Sequence, residues 1–174
     1  MVLGHSSPEL RYYGDFLNHD ERYRRTDEFW TICDALWRRE FPVDFTGEFL
    51  KVEGARVNDR FVAPERTRPE VYFSGSSKLA TEIAIKHGDY LLCIAEPPDD
   101  LAARIRPALD HGLQAAIVCT QISRPTRDEA IQAAYDLAEA AGEQGKAVQR
   151  TWRRESADSE GFARAYALGD RESP

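Results

Sequence analysis

Val71-Tyr72-Phe73-Ser74-Gly75-Ser76-Ser77 runs directly into Lys78-Leu79-Ala80-Thr81-Glu82-Ile83-Ala84, and the junction between them governs the reading of the whole chain. A short β-branched and aromatic run gives way to small hydroxylated residues and then to a helical pattern. The expected structure is a strand over Val71 to Phe73, a tight turn, and a helix from Leu79 to His87 closed by Gly88. Such a turn puts free backbone N–H groups and two hydroxyls at the positive end of a helix dipole, which suits a phosphate. Gly75 lets an anion approach the backbone closely, or allows a positive φ. Ser and Gly before a helix also serve as plain caps, so the turn alone leaves both roles open.

Outward from this junction the chain alternates strands and helices. Asp89 to Ala95 is apolar without clear alternation, as expected of a parallel strand covered on both faces. Pro97-Pro98 breaks it, Asp99-Asp100 can cap a helix from Leu101 to about His111, and Gly112 ends that helix. Leu113 to Thr120 reads as a third strand. Thr126 and Glu129 have capping-box spacing and open a long helix to about Gln144, with Gly142 and Gly145 at its frayed end. Repeats of this length build parallel sheets, either open and doubly wound or closed as a (β/α)8 barrel.

The first third differs in texture. Tyr23, Phe29, Trp30, Cys33, Leu36 and Trp37 recur at helical spacing over Asp20 to Glu40. Val43-Asp44-Phe45 and Glu48 to Val52 flank Thr46-Gly47 as a β-hairpin, and Asn58 to Pro69 reads as a loop.

Composition bounds the classes of function. With 174 residues, 42% of them hydrophobic, the chain can bury the core of one domain. A net charge of −7 with no basic stripe argues against a nucleic-acid surface. No apolar run reaches the ~20 residues of a membrane span. Without a signal-peptide pattern, and with Cys33, Cys93 and Cys119 widely spaced, free thiols in a reducing cytoplasm are the expectation. The four histidines, at positions 5, 19, 87 and 111, show no metal-ligand spacing.

Several stretches together carry a resemblance: Asp15 to Tyr23, Val43 to Glu48, Val52-Glu53-Gly54-Ala55, Tyr72 to Ser77 and Glu96-Pro97-Pro98. Arg124, Thr126, Asp128, Glu129, Ala130 and Ala157-Asp158-Ser159 extend it. In this order and at similar spacing the set resembles the two-component, FMN-dependent alkanesulfonate monooxygenases of the bacterial luciferase-like superfamily, from about Val2 to about Leu168. The resemblance implies an α/β fold that is part of a (β/α)8 TIM barrel: about strands four to seven with their helices, plus a β-hairpin insertion. The fourth strand would end around Val2-Leu3-Gly4. On this reading residues 1–150 form the partial barrel, and residues 151–174 are an insertion-region remnant with a helix around Phe162 to Leu168 and a frayed tail.

The family's chemistry gives further expectations. Reduced FMN, supplied by a separate flavin reductase, is used with O2 to cleave the C–S bond of an alkanesulfonate, giving an aldehyde and sulfite. The resemblance assigns the flavin phosphate to Tyr23, Ser76 and Ser77, with Gly75 in the same turn. Read from the residues alone, Tyr23 is equally an aromatic packed on the hairpin. The chemical half of the site departs from the family: its Trp falls at Ile94, beside Ala95, and its strand-seven Arg and His fall at Val118 and Thr120. Glu96 is retained, either as a site residue or as a solvated turn residue before two prolines. Catalytic residues therefore stay unassigned. Two functions remain in view: a flavin monooxygenase whose site a second copy or companion chain completes, and a non-catalytic FMN-, phosphate- or protein-binding remnant.

Overall fold

The computed structural model describes residues 7–59, 65–155 and Ala163. Its element order is α1 (Ser7–Tyr12), α2 (His19–Arg38), β1 (Val43–Thr46), β2 (Lys51–Ala55), β3 (Tyr72–Ser74), α3 (Lys78–His87), β4 (Tyr90–Ile94), α4 (Pro98–Asp110), β5 (Gln114–Val118), α5 (Arg127–Ala140) and α6 (Gly142–Glu155). The expected fourth-strand end at Val2-Leu3-Gly4 and, apart from Ala163, the helix around Phe162 to Leu168 lie outside the described residues.

β3, β4 and β5 form a parallel sheet in that order, while β1 and β2 pair antiparallel as a separate hairpin. The chain is thus a mixed α/β fold, a partial barrel built from a parallel sheet and its helices. The β3–α3–β4–α4–β5 run follows the alternation of the sequence, because each connecting helix carries an apolar stripe that must lie on the sheet. Phe73, Leu91 and Cys93 point to the helix side and are buried there with Val71, Ala80, Ile83, Ala84, Ala108 and Leu113. Trp30 of α2 sets its ring edge-on to Phe73 at 5.3 Å and so joins α2 to this core.

The other face of the sheet is different. In register across the strands it carries Tyr72, Tyr90 and Gln114, then Ser74, Leu92 and Ala116, then Ile94 and Val118. The Tyr72 and Tyr90 rings stack with centroids 4.2 Å apart. Ile94 and Val118 are 54% and 52% exposed, so this face lacks the cover that a parallel sheet usually has.

Several boundaries differ from the sequence reading. α2 begins one residue earlier because Asn18 and Glu21 make a reciprocal capping box. The second hairpin strand is Lys51–Ala55 rather than Glu48 to Val52, since residues 48–50 form a tip whose N–H groups turn toward Glu28. The Glu28 carboxylate accepts from Glu48 N at 2.6 Å, Phe49 N at 2.9 Å and Leu50 N at 2.8 Å, latching the hairpin to α2. Asp99 and Asp100 do not cap α4 but lie in its first turn: Pro98, with φ already helical, starts the helix without a side-chain cap. Thr126 and Glu129 do form their capping box, but α5 stops at Ala140 because Gly142 adopts a φ of 57° and a new helix begins. β4 ends at Ile94 and β5 at Val118, so Ala95 and Thr120 lie beyond the ladders.

Two carboxylates tie these elements together. Asp27 of α2 accepts from Lys86 Nζ at 2.8 Å and from His87 Nε2 at 2.6 Å, both at the end of α3. Asp89 accepts two bonds from Arg68 and one from Val71 N, closing the start of β3 onto that of β4. Burial pushes both carboxyls up, but these donors and their charges outweigh it and hold each below the usual 3.8. A lowered native pKa means that the unfolded chain binds protons first as pH falls. The stabilisation is therefore complete above the ordinary carboxylate value and is lost through the lower native values. Urea midpoints measured from about pH 6 to pH 2 should fall steeply below about pH 4. Asp27→Asn should lower the midpoint at pH 6 and flatten the acid limb; an unchanged limb would show that Asp27 is not among the groups responsible.

Candidate cofactor site

The β3–α3 junction is built as a turn around Gly75. Ser77 takes the N-cap position in extended geometry, and its Oγ accepts from Ala80 N at 3.1 Å. Its hydroxyl proton remains available to donate. The Ser77 carbonyl accepts from Thr81 N, so the first turn of α3 is closed and Ser77 is buried. Ser76, one residue earlier, is half-buried at the surface of the turn.

Tyr23 arrives from α2, buried beside the His19 ring, whose centroid is 4.8 Å away. A Cβ added at Gly75 would lie 2.4 Å from Ala80 Cβ and 3.2 Å from Tyr23 Oη. The start of α3 and the Tyr23 phenol thus close tightly on Gly75, with no room for a side chain there. Tyr23, distant in sequence, is brought by its Oη to the Gly75-Ser76-Ser77 turn. Tyr23 is part of the buried cluster with Val71, Phe73 and Ala80, its Oη near the turn.

Beside the turn, a cleft of about 570 Å³ runs between α3 and α4. Ser76, Ser77, Lys78, Thr81 and Arg104 are among its lining residues. Arg104 forms an ion pair with Glu96, and the two side chains are 9% and 7% exposed. Glu96 is therefore a buried anchor of the β4–α4 loop and not a solvated turn residue. Arg104 was legible in principle: with Leu101, Ile105 and Ala108 it falls on the inward stripe of α4, where an arginine needs a partner.

The remaining positions do not form a chemical centre. Ile94 and Val118 sit side by side at the C-terminal end of the sheet as an apolar surface, and Thr120 is exposed in the loop beyond. Cys33 is half-buried, Cys93 buried and Cys119 exposed; none is in a disulfide, and burial pushes the Cys33 thiol up. Among the described residues no group of His, Cys, Asp and Glu could hold a metal, and no helix is long and apolar enough to cross a membrane.

The fold and its turn define a luciferase-like α/β protein. Residues 1–172 match the family described as luciferase-like monooxygenase, and the chain belongs to that family. Among solved structures it is similar to an F420-dependent secondary alcohol dehydrogenase in complex with an F420-acetone adduct. That likeness has 23% identity and a TM-score of 0.54, covering 67% of this chain and 37% of the dehydrogenase. It is also similar to a riboflavin lyase with modified FMN and riboflavin, at 20% identity and a TM-score of 0.57, covering 74% of this chain and 35% of the lyase. The chain thus spans little more than a third of the length of these neighbours.

Proposed function

We propose that this chain holds a phosphate-bearing flavin at the Tyr23–Ser76–Ser77 cradle and forms the cofactor half of a flavin-dependent monooxygenase. The approach of Tyr23 Oη to the Gly75–Ser77 turn, where Ser77 caps the start of α3, supports this reading. Reduced FMN is the favoured cofactor; when bound, it supplies the electrons for a reaction with O2. The chain's own part is to fix the phosphate: Ser76 and Ser77 donate hydroxyl protons, the phenol of Tyr23 adds a third contact, and the α3 N-terminus adds its dipole.

The finer reading is C–S cleavage of an alkanesulfonate to aldehyde and sulfite, with a separate flavin reductase as partner. It rests on the ordered sequence motifs. A second reading is favoured by a specific observation: Ile94 and Val118, where the family carries Trp and Arg, present only apolar surface. On that reading the chain binds FMN, a phosphate ligand or a protein without turning anything over.

Titration of the folded chain with FMN, oxidised and then reduced anaerobically, tests the cradle, with F420 run in parallel. Saturable binding is expected, weakened about tenfold or more by Tyr23→Phe with Ser76→Ala, changes that leave the Ser77 cap intact. Equal binding by this variant would move the phosphate elsewhere, and no binding by a folded chain would reduce the turn to a helix cap. Sulfite release from alkanesulfonates with FMN and a reductase separates the enzymatic reading from the binding one.

A further inference from the structure

The cleft between α3 and α4 is lined from both sides at helical spacing. Lys78, Thr81, Glu82 and Ile85 form one stripe of α3. Asp100, Ala103, Arg104 and Pro107 repeat that spacing on α4. Both helices return between parallel strands, so they run in the same sense and the stripes face each other in order. One end of the cleft is therefore the Ser76–Ser77 turn with Lys78, the middle holds Thr81 and Glu82, and the far end is Ile85 and Pro107. Pro107 lies inside α4 and has no N–H, so the Ala103 carbonyl lacks the donor that a helix supplies four residues on. The lining thus grades from hydroxyls and a cation, through acceptors, to apolar side chains beside a main-chain carbonyl.

We propose that this cleft binds adenosine 5′-phosphate, either as a free nucleotide or as the adenylate half of FAD. The phosphate sits at the Ser76–Ser77 turn, where Lys78 and the positive end of α3 outweigh the carboxylate of Asp100. Glu82, 3.6 Å from Lys78 Nζ, accepts from the ribose hydroxyls, as carboxylates do in dinucleotide sites. Thr81 Oγ1 donates to the Ser77 carbonyl at 3.4 Å and keeps its lone pairs for the sugar. The purine lies on Ile85 and Pro107, with its exocyclic amine donating to the Ala103 carbonyl. Arg104 stays with Glu96 and walls the middle of the cleft. Size agrees: about 570 Å³ falls within the roughly 300–1,000 Å³ of small-molecule sites. The rise from Ser77 to Ile85, about 12 Å, matches an extended nucleoside 5′-phosphate. The inference rests on the cofactor reading only in placing a phosphate at the turn.

The test is a calorimetric titration of the intact chain with AMP in the absence of flavin. Saturable binding is expected, about tenfold or more weaker for GMP, whose carbonyl replaces the amine. Ala103→Trp, which fills the cleft from an exposed position, and Glu82→Ala should each weaken AMP by a similar factor with unchanged circular dichroism. FAD binding tighter than FMN, with the difference abolished by Ala103→Trp, would identify the adenylate of FAD; equal affinities beside AMP binding would identify the free nucleotide. No AMP binding, AMP binding that both variants leave unchanged, or equal binding of GMP would each overturn the proposal. FMN binding without AMP binding overturns this proposal alone, whereas AMP binding without FMN binding supports it and overturns the flavin reading.

Discussion

Replacing Glu96 with alanine should lower the unfolding free energy by about 3 kcal/mol or more, the loss expected when one member of a buried ion pair is removed. The cause is the guanidinium left behind. Arg104 and Glu96 are both nearly enclosed between the β4–α4 loop and α4, and a charge stranded there pays desolvation without its partner. Replacing both residues together, as Glu96→Leu with Arg104→Leu, should recover most of the loss, because the pair's attraction mainly offsets its own desolvation. Chemical denaturation of the two variants and the native chain checks both parts. A single variant as stable as the native protein would mean that Glu96 is effectively solvated.

The second large effect is expected at Gly75. In Gly75→Ala the new methyl would stand 2.4 Å from Ala80 Cβ, so the first turn of α3 must move. Overpacking of this kind costs about 1–3 kcal/mol. The movement also carries Ser77 off its cap and fills the space next to Tyr23 Oη, so flavin affinity should fall further than stability alone predicts. Adding Ala80→Gly removes the facing methyl and should restore part of both. The variant pair therefore couples favourably, although glycine in a helix costs about 1 kcal/mol by itself. Thermal unfolding and FMN titration of the single and double variants provide the measurement; unchanged FMN affinity in Gly75→Ala would remove the cradle from the binding site.

Much of the architecture was readable in the sequence for local reasons. The α2 helix, the β3–α3 junction and the Thr126–Glu129 box each carry their signal within a few residues and form close to where the pattern places them, although Phe29 of the aromatic stripe is left exposed and Ile32, outside it, is buried. The boundaries that moved did so where distant groups intervene. The second hairpin strand starts late because Glu28, twenty residues away, takes the amides of residues 48–50. Nothing near Glu96 announces that its charge is answered two turns into the following helix. Tyr23 could be placed on a helix face, but only the packing of α2 on α3 shows that this face meets Gly75. The open side of the sheet was invisible for a related reason: Leu92, Ile94 and Val118 read as buried strand residues whatever covers them.

The latch at the hairpin tip bears on how this sequence could drift. Glu28 is gripped by main-chain N–H groups, which every residue but proline supplies, so its hold does not depend on the side chains at 48, 49 and 50, although Glu48 and Phe49 add a second hold through Arg24. Gly47 is not free, because a Cβ there would lie 2.3 Å from the carboxylate. In lineages that keep the hairpin, substitutions should therefore be commonest at residue 50 and scarce at the acid and the glycine, with changes at 48 and 49 accompanied by change at Arg24. A descendant that has lost Glu28 should be recognisable by a tip of altered length rather than by any change in its composition.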